Sequence, residues 1–360
     1  MTEARMQEVT DPKPGSFCWV ELGTTDSEAA KNFYTQLFGW ESQDHPMGPD
    51  MVYTILKLND RDVAGLYKLM PDMLAQGVPS HWMSYVATAN ADETTEKAKA
   101  AGATIMNGPF DVANLGRMSV IKDPTGAVFS IWQSMESKGS AVWGTENAVI
   151  WNELGTHDPQ KAGDFYSNVF GWTRQKFPDS PIDYTIFNND DKGIGGMYQI
   201  TPEMGPIPPH WLVYFAVDDC DAKVQKASEL GAPVMKPAED IPGVGRFAIL
   251  LDPQGAAFAL LKPQPPNIFS GKRQEAQIAQ GFPIRFVLFV LFCGWLTLKH
   301  ESATRLGNTL RHLGLDLAVH QVGSCRPASP HLRRNPVRHC LHDPFRVDPY
   351  SRTPASEKTS

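Results

Sequence analysis

The sequence predicts an α+β chain in which one domain is written twice, each copy running β-α-β-β-β and then β-α-β-β-β again. Three observations carry this. Twelve of the 22 residues from Trp19 to Trp40 recur, in order and without a gap, between Trp151 and Trp172. Asp123-Pro124-Thr125-Gly126 returns as Asp252-Pro253-Gln254-Gly255. Trp19 and Trp151 stand 132 positions apart, whereas His81-Trp82 and His210-Trp211 stand 129 apart, so three residues are lost between these blocks. Surface loops are where such length changes are tolerated. The expected boundaries are a disordered polar segment at 1–14, copy one at 15–135, a linker at 136–146 and copy two at 147–264. Each copy is near the usual ~100–150 residues of a domain and long enough to bury a core.

The elements follow in order. Phe17 to Gly23 alternates as a short strand. Asp26 then caps a helix with Ala30, Phe33, Tyr34, Leu37 and Phe38 at helical spacing, and Gly39 ends it. Copy two opens the equivalent helix with Asp158-Pro159 and closes it at Gly171. Strands are expected over Trp40–Gln43, Met51–Leu58 and Val63–Leu69. The order then restarts with a strand from His81, a helix from Asp92 to Ala101 closed by Gly102, and strands near Thr104, Arg117 and Ala127. Asp-Pro-x-Gly fits a type I turn, with Asp at its first position and Pro at its second. Asp123 and Asp252 are therefore read as turn formers, and Phe33, Tyr34 and Phe38 as core.

Charge divides the chain. From Pro266 onward there are 13 Lys and Arg against 6 Asp and Glu, so the net −7 splits into −14 on the paired copies and +7 on the tail. An acidic duplicated part argues against nucleic acid as partner, and the tail has no finger spacing or RNA-binding signature. Within the tail, 286–298 is apolar but for Thr297. It is shorter than the ~20 residues of a spanning helix, so no membrane contact is expected of it. Disordered extension and peripheral anchor are two readings of this tail. The abrupt compositional change favours a third, sequence appended to a protein complete by about 265. Met1 to Gly15 has no apolar core and does not read as a secretory signal. With Cys18 and Cys220 out of register and no C-x-x-C, neither a disulfide framework nor a zinc finger is expected, and a reducing cytoplasm is the default.

An opening strand leading into Phe33-Tyr34 and Phe38-Gly39-Trp40, a mid-domain helix ending in Gly-Ala and a closing Asp-Pro-x-Gly hairpin resemble the vicinal oxygen chelate superfamily. That superfamily includes glyoxalase I, extradiol dioxygenases and bleomycin-resistance proteins. The resemblance covers 15 to 264 and is nearest to predicted enzymes related to lactoylglutathione lyase. It implies two tandem glyoxalase-like domains, each of two βαβββ modules forming an open cup-shaped sheet. In metal-using members His, Gln or Glu side chains from the cup strands hold a divalent ion. Carried over by position, those ligands fall on Trp19, Gly65, Met83 and Ser130, and on Trp151, Gly196, Leu212 and Ala259. Indole, hydrogen, thioether, hydroxyl and hydrocarbon groups do not make a divalent O/N site, so neither a metal nor another cofactor is expected.

Strand alternation from an inward Trp19 places Phe17 and Glu21 in the cup, and from Trp151 it places Val149 and Glu153. The expected ligand-binding set is Trp19, Tyr67, His81, Tyr85 and Trp132 in copy one, with Trp151, Tyr198, His210 and Tyr214 in copy two. Aromatic walls with a few polar groups are the usual form of a small-molecule site. Glu21 and Glu153 are the catalytic candidates, since a carboxylate among aromatic rings can act as a general base. The competing reading pairs them with Arg117 and Arg246. His81 and His210 read as hydrogen-bonded structural residues rather than as catalysts, although His is the side chain most readily tuned near neutral pH. Three functions follow: a metal-free small-molecule binder, a metal-independent lyase or isomerase using the glutamates, and a metal-dependent lyase or dioxygenase. The partners expected are a small-molecule ligand and either domain one against domain two or a homodimer. If the tail is no part of the fold, deleting residues after 265 should leave the urea midpoint and slope nearly unchanged, because the slope tracks surface exposed on unfolding. A clear drop in midpoint would show that 286–298 packs on the domains.

Overall fold

The computed structural model describes residues 12–49, 51–177 and 182–264; the apolar run at 286–298 and the rest of the tail lie outside the described residues. Copy one consists of β1 (Phe17–Thr24), α1 (Ser27–Phe38), β2 (Glu41–Gly48), β3 (Met51–Leu58), β4 (Arg61–Lys68), α2 (Pro71–Ala75), β5 (His81–Ala87), α3 (Ala91–Ala100), β6 (Thr104–Val112), β7 (Gly116–Lys122) and β8 (Val128–Ser134). Copy two repeats it with β9 (Val149–Thr156), α4 (Pro159–Phe170), β10 (Thr173–Lys176), β11 (Tyr184–Asn189), β12 (Lys192–Gln199), β13 (His210–Ala216), α5 (Cys220–Glu229), β14 (Val234–Ile241), β15 (Gly245–Leu251) and β16 (Ala257–Pro263). The doubled β-α-β-β-β order is therefore present in both copies. Helix α2 and a 3-10 turn at Pro202–Met204 are additions that five- and three-residue segments give no period to reveal.

Each copy forms one open eight-stranded sheet, ordered β2-β3-β4-β1-β5-β8-β7-β6 and β10-β11-β12-β9-β13-β16-β15-β14. Within a module the first strand pairs in parallel with the last, as β1 does with β4 and β5 with β8. The two modules join through the antiparallel pair of first strands, β1 with β5. Helix starts and stops follow the side chains: Asp26 accepts from the Ala29 amide at 3.1 Å, and Asp158 from that of Lys161 at 2.9 Å. Gly39 and Gly171 close their helices in the left-handed conformation, φ 71° and 74°.

The alternation expected through the start of β1 does not hold. A bulge between Phe17 and Trp19 turns Phe17 to the opposite face from Trp19, where it packs 5.7 Å from Trp172 and 5.2 Å from Trp211. The matching irregularity at Tyr214/Phe215 sends Val149 into the core. One extra residue on a strand reverses the phase of everything beyond it.

The helix-bearing faces of the two sheets pack on each other in a crossed arrangement. Phe33, Tyr34 and Phe38 of α1 bury against Phe215, Phe258 and Leu260 of the second copy. Phe165 and Tyr166 of α4 bury against Val86, Phe129 and Ile131 of the first. A hydrogen-bond chain runs through each half. Trp82 Nε1 donates to the Tyr34 hydroxyl at 2.9 Å, which donates to Asp252 Oδ2 at 3.0 Å. In the other half Trp211 donates to Tyr166 at 2.8 Å and Tyr166 to Asp123 Oδ2 at 2.9 Å. Trp40 Nε1 reaches the carbonyl of Asn147 at 2.7 Å, and Trp172 Nε1 that of Gly15 at the same distance. Asp123 and Asp252 do form their turns, Oδ1 accepting from the backbone amides of residues 125 and 127 and of 254 and 256. Their second oxygens serve the other copy, which the turn motif alone does not disclose.

Tyr34→Phe strips Asp252 of a donor and the Trp82 N–H of its acceptor in a buried setting, and should cost about 1–3 kcal/mol of unfolding free energy. Asp252→Asn combined with it should show coupling of about 0.5 kcal/mol or more in a double-mutant cycle. Urea melts giving additive effects would show that the chain of hydrogen bonds is not acting as a unit.

Candidate functional site

The opposite face of each sheet is packed by strand residues of its own copy. Cys18, Tyr85, Ala87 and Met118 cluster on the first, Leu212, Tyr214, Phe247, Ala259 and Leu261 on the second, and no helix residue joins either cluster. Residues directly opposed on neighbouring strands share a face. On sheet one this sets Tyr53, Tyr67, Gly23 and His81 in one row across β3, β4, β1 and β5. Ile55, Gly65, Glu21 and Met83 make the next, and Trp19, Tyr85, Ser130 and Val120 a third. The expected residues of copy one therefore lie on one face, and Trp132 joins them with its ring 6.5 Å from that of Tyr85.

Glu21 is the centre of this face. The Tyr53 hydroxyl donates to its Oε2 at 2.7 Å and the Tyr85 hydroxyl to its Oε1 at 2.9 Å. Trp19 Nε1 donates in turn to the Tyr53 hydroxyl at 3.1 Å. Copy two repeats the arrangement: Tyr214 donates to Glu153 at 2.7 Å, Tyr184 hydrogen-bonds the same carboxylate, and Trp151 Nε1 reaches Tyr184 at 2.9 Å. Burial raises the pKa of both carboxyls, and the tyrosine hydrogen bonds partly counter it. Both glutamates stay part-buried rather than sealed away.

The expected alternative, an ion pair with Arg117 or Arg246, is not what the structure has. Arg117 binds Asp92 at 2.7 Å and Asp111 at 2.8 Å, and Arg246 binds Asp221 at 2.6 Å and Asp240 at 3.3 Å. The arginines sit on β7 and β15, well across the sheet from the glutamates, and recur in step because their own helix partners recur. His81 and His210 place Nδ1 at 2.8 and 2.9 Å from the carbonyls of Pro79 and Pro208, so Nδ1 carries the proton. Burial lowers both imidazole pKa values, which keeps the rings neutral with Nε2 as an acceptor.

Tyr53 and Tyr184 are the site residues that sequence reasoning missed. Their signal was present: Tyr-Thr-Ile stands at 53–55 and again at 184–186, one strand from a repeated glycine. A Cβ on Gly65 would collide with the Tyr53 hydroxyl, and one on Gly196 with that of Tyr184. The strand position where metal-using members carry a ligand is thus emptied, and a neighbouring tyrosine fills the space. With Trp19 and Trp151 at the first ligand positions, the donor set does not fit a divalent ion. Among the described residues no three His, Cys, Asp or Glu side chains converge on a common point.

The family model for the Glyoxalase/Bleomycin resistance protein/Dioxygenase superfamily matches residues 16–131 and 149–260. The chain is 41% identical over 262 residues to a Mycobacterium bovis protein named "Putative glyoxylase CFP32", covering 72% of this chain and 99% of that protein. It is 35% identical over 262 residues to the "Anthracycline biosynthesis protein DnrV" of Streptomyces peucetius, covering 69% and 94%. Among solved structures, the 2,3-dioxygenase LapB from Pseudomonas sp. KL28 overlays with a TM-score of 0.50 at 10% identity, covering 70% of this chain and 93% of that one. That last likeness is one of fold alone.

Because the folded state raises the pKa of Glu21 and Glu153, it disfavours their ionised forms. The resulting penalty is full above the folded pKa and disappears as pH falls to the unfolded value of about 4.3. Glu21→Gln and Glu153→Gln remove it. The stability of each variant relative to the parent should therefore improve as pH rises from about 4 and then level off. Near neutral pH the variants should be no less stable than the parent, against the ~3–5 kcal/mol lost when a buried ion pair is broken. A pH-independent difference in urea melts would show that these carboxyls are not disfavoured by folding.

Proposed function

The chain belongs to the glyoxalase/bleomycin resistance protein/dioxygenase superfamily, and from that membership we propose that it binds a small organic molecule on the aromatic cup faces without a metal ion. One observation carries the reading. In each copy a carboxylate with no basic partner at contact distance among the described residues is held by two tyrosine hydroxyls among aromatic rings. A protein core does not gain from such a group, since burying a charge costs free energy unless it is paired. A ligand bearing a hydroxyl or N–H donor would use it as a fixed acceptor. Flat rings would lie against the indole and phenol walls, where aromatic pairs contribute about 0.5–1.5 kcal/mol beyond their area. The relative named for anthracycline biosynthesis supports a polycyclic, hydroxylated aromatic as the ligand class.

The raised carboxyl pKa values favour a second reading, in which Glu21 or Glu153 takes a proton from carbon next to a carbonyl. Tyr53, Tyr85 and their counterparts would then hold the carboxylate in place while it accepts. The mycobacterial relative named as a glyoxylase is consistent with an enzyme, although the metal chemistry of the superfamily finds no donors here.

Titration with 2-naphthol, followed by tryptophan fluorescence, tests the binding reading. Glu21→Gln with Glu153→Gln should weaken binding about tenfold, the loss of one charge-assisted hydrogen bond. Elemental analysis after dialysis should find less than one bound transition-metal ion per chain. An unchanged Kd in the double variant, or one tightly held ion per domain, would overturn the proposal.

A further inference from the structure

The two cup faces are alike on one side and unlike on the other. The half built by the first module shares its anchor: Trp19, Glu21, Tyr53 and Tyr67 match Trp151, Glu153, Tyr184 and Tyr198, while Lys57, held by Asp62 at 2.8 Å, stands where copy two has Asn188. The wall built by the last three strands differs in charge. Asn107 faces Val120 in copy one where Lys236 faces Ile249 in copy two, and Phe110 faces Met118 where Glu239 faces Phe247. Trp132 is replaced by Leu261.

The placement of Lys236 gives this difference chemical meaning. Ile249 opposes Ala259, and Ala259 opposes Tyr214, the residue that donates to Glu153. Lys236 therefore stands in the same row as the carboxylate's own donor. Its ammonium lies 5.1 Å from the centre of the Phe247 ring, and its charge is felt at Glu153. Its partner is Glu239 at 2.7 Å, with side-chain exposures of 32% and 52%. An ion pair that open to water contributes little, so a ligand carboxylate can take over the ammonium while Glu239 turns to solvent. In copy one the same wall presents an amide, the exposed Phe110 ring and Trp132.

Resting on the ligand-binding reading above, we propose that the two cups divide their ligands by charge. Both take a flat hydroxylated aromatic at the shared glutamate and tyrosines. The second cup selects molecules that carry a carboxylate at the opposite end, through Lys236. The first selects neutral molecules, which lie against Trp132.

Two probes differing by one carboxylate, 2-naphthol and 6-hydroxy-2-naphthoate, test this on the full chain. Glu21→Gln weakens the first cup about tenfold and Glu153→Gln the second, so that below the weakened Kd each variant reports on the other cup. With only the second cup active, hydroxynaphthoate should bind about fivefold more tightly than naphthol, as expected of a partly exposed charge-assisted contact. Lys236→Asn in that background should abolish the preference, and raised salt should shrink it. With only the first cup active, naphthol should be preferred, and Asn107→Lys should shift the preference toward hydroxynaphthoate. Equal preference in both cups, or a preference that survives Lys236→Asn, overturns the division while leaving ligand binding intact. Failure of both probes to bind either cup removes the ligand-binding reading and the division with it.

Discussion

Tyr34 and Tyr166 hold the molecule together. Each lies wholly buried and takes a hydrogen bond from a tryptophan of its own copy while giving one to an aspartate of the other. That aspartate spends its remaining oxygen on the amides of a hairpin turn. Turn geometry, helix position and the approach of the two copies are therefore one constraint. A shift of either copy would leave buried donors and acceptors unpaired, at about 1–3 kcal/mol apiece. The tryptophans that reach Asn147 and Gly15 tie the entry of each copy's first strand to the same interface.

The arrangement decides which face of each sheet is spent on folding. Helix, tyrosine and turn all lie on one side, so the strand positions of opposite phase are released from packing between copies. On the released side stands a carboxylate held by two phenol hydroxyls and raised in pKa by burial. The tyrosines make it tolerable without neutralising it. A glycine on the neighbouring strand makes room for the tyrosine, so the anchor is built by pairing a lost side chain with a gained one.

Much of the fold was legible because its signals are local or repeated. Asp26 and Gly39 bound the first helix as their chemistry requires, and the phase of Ala30, Phe33, Tyr34 and Leu37 identified its buried face. Glu21, Trp19 and Tyr85 were found together because one alternating strand and its neighbour place them. What strand alternation could not show was the bulge that turns Phe17 and Val149 away from the cup, since a bulge is a property of pairing. Nor could it show that Arg117 answers to Asp92 on a helix 25 positions earlier rather than to Glu21. Tyr53 escaped for a related reason: its role appears only when Gly65 is seen across the strand pair.

Comparison of the copies separates what folding requires from what it leaves free. Trp82, Tyr34, Asp123 and Phe129 have identical counterparts in Trp211, Tyr166, Asp252 and Phe258, and all of them face the interface between copies. On the opposite face, Ser130 and Trp132 of β8 stand against Ala259 and Leu261 of β16, and Met118 of β7 against Phe247 of β15. A strand whose one face is fixed and whose other face varies is constrained by packing on the first side alone. The glutamate anchor breaks that pattern, because Glu21 and Glu153 are identical on the face where packing between copies imposes nothing. Under the ligand-binding proposal, their identity there, held at a desolvation cost, follows from a contact that both cups make with the bound molecule.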